Sequence, residues 1–420
     1  MIISVIGLGY VGLPLAAAFA RYFDVVGYDK SRNRIAEINN GYDRTGELAA
    51  CEISRALERL NAVDTPAAIA DVDIHIVTVP TPVDQTKQPN LKPIISACKT
   101  VGAHLKIGSI VVFESTVYPG VTEDICGPKL EDVSGLKCGT DFFLGYSPER
   151  INPGDKVHTI DNIVKVVAGQ TSEVTEKLVN LYSSVIAAGI HVAPSIKVAE
   201  AAKVIENAQR DINIAFVNEV AIICQKLGVS VHDVLEAAQT KWNFLSFMPG
   251  LVGGHCIGVD PYYMAYCAEQ LGHRPDIILA GRHLNDRMGV FVAEQISAQL
   301  APHGRILVLG LTFKEDVSDL RNTKAIDVIR CLTELGFAVD VHDHLADARE
   351  AKMFFDIDLV SDIFLAYPYD AVVGLVPHAK YRGWLSDDLR RLTLKNGLIA
   401  DVKGIWRAIS LAGTRRYWTL

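Results

Sequence analysis

A thiol set among glycines is the residue of this chain best placed for covalent chemistry. Cys256 stands in Leu251-Val-Gly-Gly-His-Cys-Ile-Gly-Val-Asp260. Gly253 and Gly254 would let a ligand approach the backbone beside it. Asp260 can order a water or take a proton. Only a thiolate attacks well, so Cys256 needs activation by its surroundings. His255 adjoins it, but sequence neighbours usually point apart, and a structural or substrate contact is its expected role. His255, Cys256 and Asp260 fall short of a four-ligand zinc set, so no metal is expected.

The second constellation opens the chain. Val5-Ile-Gly-Leu-Gly-Tyr-Val-Gly12 carries the G-x-G-x-x-G spacing. Gly7 permits a tight turn, Gly9 lets backbone approach a pyrophosphate, and Gly12 permits close helix packing. The helix N-terminus offers amide donors and dipole potential to the anion. Asp29 lies 17 residues after Gly12, where an acid would bind a ribose 2′-hydroxyl and repel a 2′-phosphate. NAD is therefore expected over NADP, although Lys30, Arg32 and Arg34 stand close by. Expected cofactor contacts are Gly7, Gly9, Tyr10, Val11, Gly12, Asp29 and Thr116, with Pro80 and Thr81 of the Thr78–Pro82 loop. A nucleotide cofactor together with an activatable thiol is the equipment for oxidising an aldehyde through a thioester.

A third set lies between these. Lys203 and Asn207 are spaced i, i+4 and share a helix face. Composition alone favours a solvated stripe for Lys203. Asn207 and Asn218 are awkward residues for a helix interior, which hints at a polar role for that face. Glu149 follows a strand in Tyr146-Ser-Pro-Glu-Arg150, and Thr116 occupies a similar strand end.

The elements that must position these groups alternate. Residues 2–6, 24–29, 73–80, 110–116 and 142–146 read as strands, with helices between them, which implies a parallel sheet covered by helices. Ser195 to about Leu227 reads as one helix, free of Pro and Gly from Ile196 onward. Such a helix spans roughly 45–50 Å and commonly bridges domains and packs on a partner chain. Helical patterning continues to about residue 299, and Pro302-His-Gly304 breaks it. Strand patterns return at 305–310, 338–343, 370–376 and 398–401. The expected fold is α/β, with two Rossmann-like parallel-sheet domains joined by a long helix and a central all-helical dimerisation domain. The boundaries read as 1–194, 195–300 and 301–420.

Composition restricts the class. The chain has 420 residues, 49% of them hydrophobic, and a net charge of −8 with Lys and Arg dispersed, which argues against a nucleic-acid footprint. Met1-Ile-Ile-Ser-Val-Ile begins a strand without a basic leader, and no apolar run approaches bilayer length. A soluble cytoplasmic protein is expected. The eight cysteines form no CxxC pair, and apart from Cys256 most are expected to be small core residues.

Across its whole length the chain resembles the nucleotide-sugar 6-dehydrogenases of the UDP-glucose/UDP-N-acetylmannosamine dehydrogenase family. The resemblance rests on the Gly motif, Glu114-Ser-Thr-Val-Tyr-Pro-Gly120, Ser147-Pro-Glu-Arg150, Lys203 with Asn207, Gly253-Gly-His-Cys256, and Phe313-Lys-Glu-Asp-Val-Ser-Asp-Leu-Arg321. It is nearest to the branch acting on UDP-N-acetylglucosamine or UDP-N-acetylgalactosamine to supply capsule and O-antigen uronic acids. Lys241-Trp-Asn-Phe244 and Cys256-Ile-Gly-Val-Asp-Pro-Tyr-Tyr263 resemble that branch.

The resemblance implies an NAD domain, a helical dimerisation domain and a UDP-sugar domain. It implies two hydride transfers from C6, with a Cys256 thiohemiacetal and thioester between them. Lys203 and Asn207 resemble the stabilisers of the developing oxyanion, Asp260 and Thr116 the water-handling pair, and Glu149 the acid–base carboxylate. Glu149, Arg150, Lys203, Asn207, Gly253, Gly254, Arg321 and, more weakly, Arg282 would meet the substrate; for Arg282 a helix-surface salt bridge is an equal reading. Many UDP-glucose enzymes carry Lys before the Asp of this loop, where Val259 stands here, and this with Tyr262-Tyr263 leans the substrate toward an N-acetylated sugar. UDP-GlcNAc ranks first and UDP-GalNAc next, with UDP-ManNAc or UDP-glucose as alternatives. Two rivals are a single-step hydroxyacid dehydrogenase, which needs neither Cys256 nor a second α/β domain, and a silent NAD-binding protein.

Overall fold

A computed structural model describes residues 1–150, 160–254, 256–364, 368–410 and 415–420. His255 and the end of the Ser147–Pro153 loop lie outside the described residues. The chain forms two compact units, one of Met1–Glu206 with Tyr262–Arg274, the other of Asn207–Pro261 with Pro275–Leu420.

The first unit is built on eight strands: β1 (Ile2–Ile6), β2 (Asp24–Tyr28), β3 (Leu60–Val63), β4 (Ile74–Val77), β5 (Ile110–Phe113), β6 (Phe143–Tyr146), β7 (Lys165–Gly169) and β8 (Ile190–Val192). Helices α1 (Gly12–Ala20), α2 (Arg32–Asn39), α3 (Ala50–Ala56), α4 (Lys92–Gly102), α5 (Gly127–Ser134) and α6 (Ser172–Ser183) connect them. The central strands are short apolar runs buried on both faces, as a helix-covered parallel sheet requires. Ser31 and Thr171 accept the Arg34 and Val174 amides and so start α2 and α6.

Strand order is β3-β2-β1-β4-β5-β6-β7-β8. The order reverses between β1 and β4, which opens a crevice at their carboxyl ends. The five strands expected from sequence all form. Three more, β3, β7 and β8, complete the sheet, and β7 runs antiparallel to β6. The five expected strands pair in parallel, and the one antiparallel pair involves the additional strand β7.

His75 is buried in β4, its Nδ1 2.8 Å from Ser4 Oγ. Burial holds its pKa down to about 3 from the ordinary 6.5. The unfolded chain therefore takes up a proton near pH 6.5 that the folded chain refuses until about pH 3. Stability is full above 6.5 and falls with acid across that window, at up to about 1.4 kcal/mol per pH unit. Urea melts between pH 7 and 4.5 should show this slope, and His75→Asn should flatten it. An unchanged slope in the variant would remove His75 from the account.

The second unit takes most of one long helix, α7 (Ile196–Leu227), whose first residues belong to the first unit. Helices α8 (Val231–Gln239), α9 (Asp260–Gln270) and α10 (Asp276–Ser297) follow, with α9 passing back into the first unit after Pro261. A five-stranded parallel sheet ends the chain: β9 (Arg305–Leu309), β10 (Ala338–His342), β11 (Tyr369–Gly374), β12 (Thr393–Asp401) and β13 (Arg416–Thr419), with α11 (Ala325–Glu334) after β9. Its order is β10-β9-β11-β12-β13, so it reverses between β9 and β11. Val217, Ala221 and Cys224 of α7 and Val292 and Ile296 of α10 share one core with this sheet. Among the described residues no helix is long and apolar enough to cross a membrane.

Candidate active site

In the first unit, β1 ends on Gly7 at φ 95°, whose amide donates to Tyr28 O at 2.8 Å. The Leu8 amide donates to Asp29 Oδ2 at 2.9 Å, and the Ser31 amide to its Oδ1 at 2.8 Å. These bonds hold the carboxylate at the crevice mouth. A Cβ on Gly12 would lie 1.8 Å from Gly7 O, so that glycine serves the turn itself. A Cβ on Gly9 would meet no protein atom within 4 Å. Protein packing therefore does not require glycine at 9, whereas close approach of a pyrophosphate does. The residues present fit a dinucleotide. Arg34, read from sequence as a possible phosphate contact, is buried instead: its Nε donates to Leu8 O at 2.7 Å and its Nη2 to Asp43 at 2.7 Å.

The Thr78–Pro82 loop closes the other side of the crevice. Thr78 Oγ1 donates to Gly7 O at 2.7 Å and Ser115 Oγ to Val79 O at 2.6 Å. Tyr263 is buried and donates to Pro82 O at 3.2 Å. Its ring lies 6.3 Å from that of Tyr118. Tyr263 thus braces the loop of Pro80 and Thr81. Thr116 is half-buried just past the carboxyl end of β5.

Glu149 enters a buried charge cluster that sequence did not reveal. Lys165 Nζ bridges Glu149 at 2.8 Å and Glu114 at 2.7 Å, and Tyr182 Oη donates to Glu114 at 2.5 Å. All four side chains are at least nine-tenths buried. Burial pushes the Glu114 carboxyl up to about 7, against the opposing pull of Lys165. Burial works against the charge of Lys165, but Glu114 and Glu149 outweigh it and raise its pKa. Arg150 pairs with Glu206 of α7. The available signal was a lone Lys in the apolar run Lys165-Val-Val-Ala-Gly169.

Within the first unit, Glu200 fixes the first turns of α7. Its fully buried carboxylate accepts the Gly120 amide at 2.6 Å and the Thr122 amide at 2.9 Å. Burial pushes that carboxyl up to about 7, although its hydrogen bonds pull the other way. Lys203, one turn further on, is buried rather than solvated, which overturns the expected surface stripe.

In the second unit Cys256 is exposed, one turn ahead of α9, and its carbonyl accepts the Asp260 amide at 2.8 Å. Asp260 is buried, and Asn207 Nδ2 donates to its Oδ2 at 2.5 Å. The protein's own packing already requires the flanking glycines. A Cβ on Gly253 would lie 2.6 Å from Asn322 O, and one on Gly254 2.8 Å from the Phe313 ring. Of the remaining thiols Cys98, Cys126 and Cys224 are buried, whereas Cys51 is exposed and not a core residue.

Beside this loop a cavity of about 180 Å³ is lined by Gly253, Ile257, Phe313, Lys314, Lys324 and Lys403. Glu315 shares this lining, and Lys324 is already paired with Asp286 and Asp327. Arg321 is held by Asp319, Nη2 to Oδ2 at 2.7 Å. Arg282 is 1% exposed and pairs with Asp211 and Asp286, so the helix-surface reading is wrong. The second sheet repeats the first one's turn: Gly310 N donates to His342 O at 2.9 Å and Leu311 N to Asp343 Oδ2 at 2.7 Å. Here Thr312 N at 3.0 Å and His378 Nε2 at 3.1 Å crowd the same oxygen. Thr312 and Glu315 also replace the second and third glycines. The turn is retained without the dinucleotide fingerprint.

Three family models match successive parts of the chain. The chain matches the UDP-glucose/GDP-mannose dehydrogenase family through its NAD binding domain (residues 1–186), central domain (197–287) and UDP binding domain (307–408). The chain belongs to this family. With both its NAD- and UDP-binding domains present, it is an NAD-dependent UDP-sugar dehydrogenase. The family member CapL of Staphylococcus aureus is 50% identical over 100% of this chain and 99% of its own. The UDP-N-acetyl-D-glucosamine 6-dehydrogenase of Pseudomonas aeruginosa is 48% identical over 96% of each chain. The solved UDP-D-ManNAc dehydrogenase of Pyrococcus horikoshii superposes with a TM-score of 0.90 at 27% identity, covering 99% of both chains.

Proposed function

We propose that this dehydrogenase oxidises C6 of UDP-N-acetylglucosamine by four electrons to the uronate, through a thioester on Cys256. The observation that carries the reading is one short segment holding an exposed thiol and, four residues on, a buried carboxylate oriented by Asn207. The 48% identity to an enzyme named for this sugar supports the substrate, with UDP-GalNAc next. The product would serve capsule or O-antigen synthesis in the cytoplasm, and the chain would divide functionally at 1–194, 195–300 and 301–420.

Gly7, Gly9, Gly12 and Asp29 would hold the NAD, with Tyr10, Val11, Pro80, Thr81 and Thr116 around it. When bound, NAD supplies the hydride acceptor for both oxidations. Cys256 Sγ adds to the C6 aldehyde, forming a C–S bond while the thiol proton passes to the carbonyl oxygen. Lys203 and Asn207 stabilise charge on that oxygen. After the second oxidation the thioester is cleaved by a water held by Asp260 and Thr116, with Glu149 in acid–base work. The C–S bond breaks and the sulfur recovers its proton. Arg150, Gly253, Gly254 and Arg321 would contact the sugar nucleotide, whereas Arg282 belongs to the buried framework.

Two NADH per UDP-GlcNAc should form in a coupled assay, and the turnover with this sugar should exceed that with UDP-GalNAc, UDP-ManNAc and UDP-glucose. One NADH per sugar would refute the four-electron reading and favour a single-step dehydrogenase.

The enzyme acts, in this reading, as a homodimer. Supporting it is an apolar groove of about 730 Å³ in the second unit, lined among others by Ile212, Phe216, Ile222, Leu284 and Phe291. Phe216 is 58% exposed and Ile277 73%, a large apolar surface for a monomer to show water. Phe216→Glu should shift the light-scattering mass from dimer to monomer. A wild type that is monomeric at assay concentration would end the proposal.

A further inference from the structure

The segment leading to Cys256 is held at both ends by one polar circuit, buried at Asn218, Asn285, Asp211 and Arg282 and half-buried at Asp286 and Lys324. Asn218 of α7 is fully buried and grips Gly250 twice: Oδ1 accepts the Gly250 amide at 2.7 Å and Nδ2 donates to the Gly250 carbonyl at 3.0 Å. A side-chain amide is used here as a strand edge would be, because a carboxamide offers donor and acceptor on one rigid plane. Nδ2 also donates to Asn285 Oδ1 of α10 at 2.8 Å. Asn285 in turn donates to Asp211 O at 2.9 Å and Asp211 Oδ1 at 2.8 Å.

The circuit then runs back toward the thiol. Arg282 joins Asp211 to Asp286, and Asp286 pairs with Lys324 Nζ at 3.0 Å. Two residues before Lys324, the Asn322 carbonyl accepts the Gly254 amide at 3.1 Å. Residues 250 and 254 are therefore both anchored, directly or through one short loop, to the same chain of contacts. Gly250 sits at φ 151°, and a Cβ there would lie 2.3 Å from Lys403 Nζ, which itself donates to Pro249 O at 3.2 Å. The positive φ favours glycine where Asn218 grips.

We propose that Asn218 is a positioning residue for the covalent steps: it fixes the loop that carries Cys256, without touching the reacting atoms. The proposal rests on the reading of Cys256 as the nucleophile. Removing the amide leaves a buried N–H and C=O of Gly250 without their partner and frees the loop to move. A displacement of about 1 Å at a reacting group lowers rate by roughly 100-fold, so the loss falls on kcat rather than on cofactor binding.

The test uses the full-length enzyme. Asn218→Ala should lower kcat for NADH production from UDP-GlcNAc by roughly 10- to 100-fold. It should slow alkylation of Cys256 by iodoacetamide, read by mass spectrometry, and leave the Kd for NAD unchanged. Asn218→Leu, of similar size but with neither donor nor acceptor, should behave alike. Unchanged kcat and alkylation in folded Asn218→Ala would overturn the proposal, as would an equal loss of NAD affinity, which marks a general structural role. Should neither Asn218 variant fold, Asn218→Ser decides by the same readouts, because its short hydroxyl cannot hold the Gly250 amide and carbonyl together. Cys256→Ser separates the two readings: uronate formed at the normal rate by that variant sinks the nucleophile itself, whereas a blocked Cys256→Ser beside normal Asn218 variants sinks only the positioning role.

Discussion

Cys256→Ser is expected to abolish uronate formation while sparing NAD binding. A serine hydroxyl is far less nucleophilic at neutral pH than a thiol, and an oxygen ester would hydrolyse less readily than a thioester. Loss of roughly 1000-fold in steady-state turnover corresponds to about 4 kcal/mol of transition-state stabilisation. The first oxidation does not need the sulfur, so a single turnover should release at most one NADH per site, with aldehyde retained on the enzyme. Rapid-quench NADH counting with mass spectrometry of the product measures both. Uronate produced at the wild-type rate would show that Cys256 is not the relay, and the second oxidation would then have to run through the aldehyde hydrate. The exposure of Cys256 makes the experiment clean, because serine at that place disturbs no packed core.

Lys165→Met should strongly destabilise the first unit. The ammonium is buried between Glu114 and Glu149, at 2.7 and 2.8 Å. Removing it leaves two carboxylates facing each other without a counter-charge, which costs about 3–5 kcal/mol for a buried pair broken on one side. In a unit of this size that is a fall in Tm of roughly 10 °C. The sign of its pH dependence is distinctive. Burial already pushes Glu114 up to about 7, and losing Lys165 pushes it further in the same direction. A carboxyl with a raised folded pKa favours the folded state at low pH, and that advantage disappears as pH rises through it. The defect should therefore be severe at pH 8 and partly relieved at pH 5.5. Calorimetry of the variant at the two pH values tests this. A Tm within 2 °C of wild type at pH 8 would mean that the cluster carries little stability.

Much of this molecule is legible along the chain. The turn after β1, the acid at Asp29, the long α7 and the thiol loop are each written in contiguous residues, because glycine spacing, strand alternation and helix continuity act over a few positions. Even there, the reasons differ from residue to residue. Gly9 has open space beside it, whereas Gly12, Gly253 and Gly254 are required by neighbouring protein atoms. The motif spacing already separates Gly9 from Gly12; for Gly253 and Gly254 only packing supplies the Asn322 and Phe313 contacts.

The supporting side chains are another matter. Lys165 lies 51 residues from Glu114 and 16 from Glu149, Glu200 lies 80 from Gly120, and Arg282 lies 71 from Asp211. None of these pairs has a local signature. Lys165 meets its carboxylates because β7 closes antiparallel on β6. Lys203, which composition would place in water, is buried on a helix whose charged neighbour Glu200 is spent on two backbone amides. Residue order thus specifies which groups can do chemistry, since reactivity and turn geometry belong to residue types and their spacing. Which groups hold them in place depends on which strands and helices become neighbours, since burial and pairing exist only between segments that the folded chain has brought together.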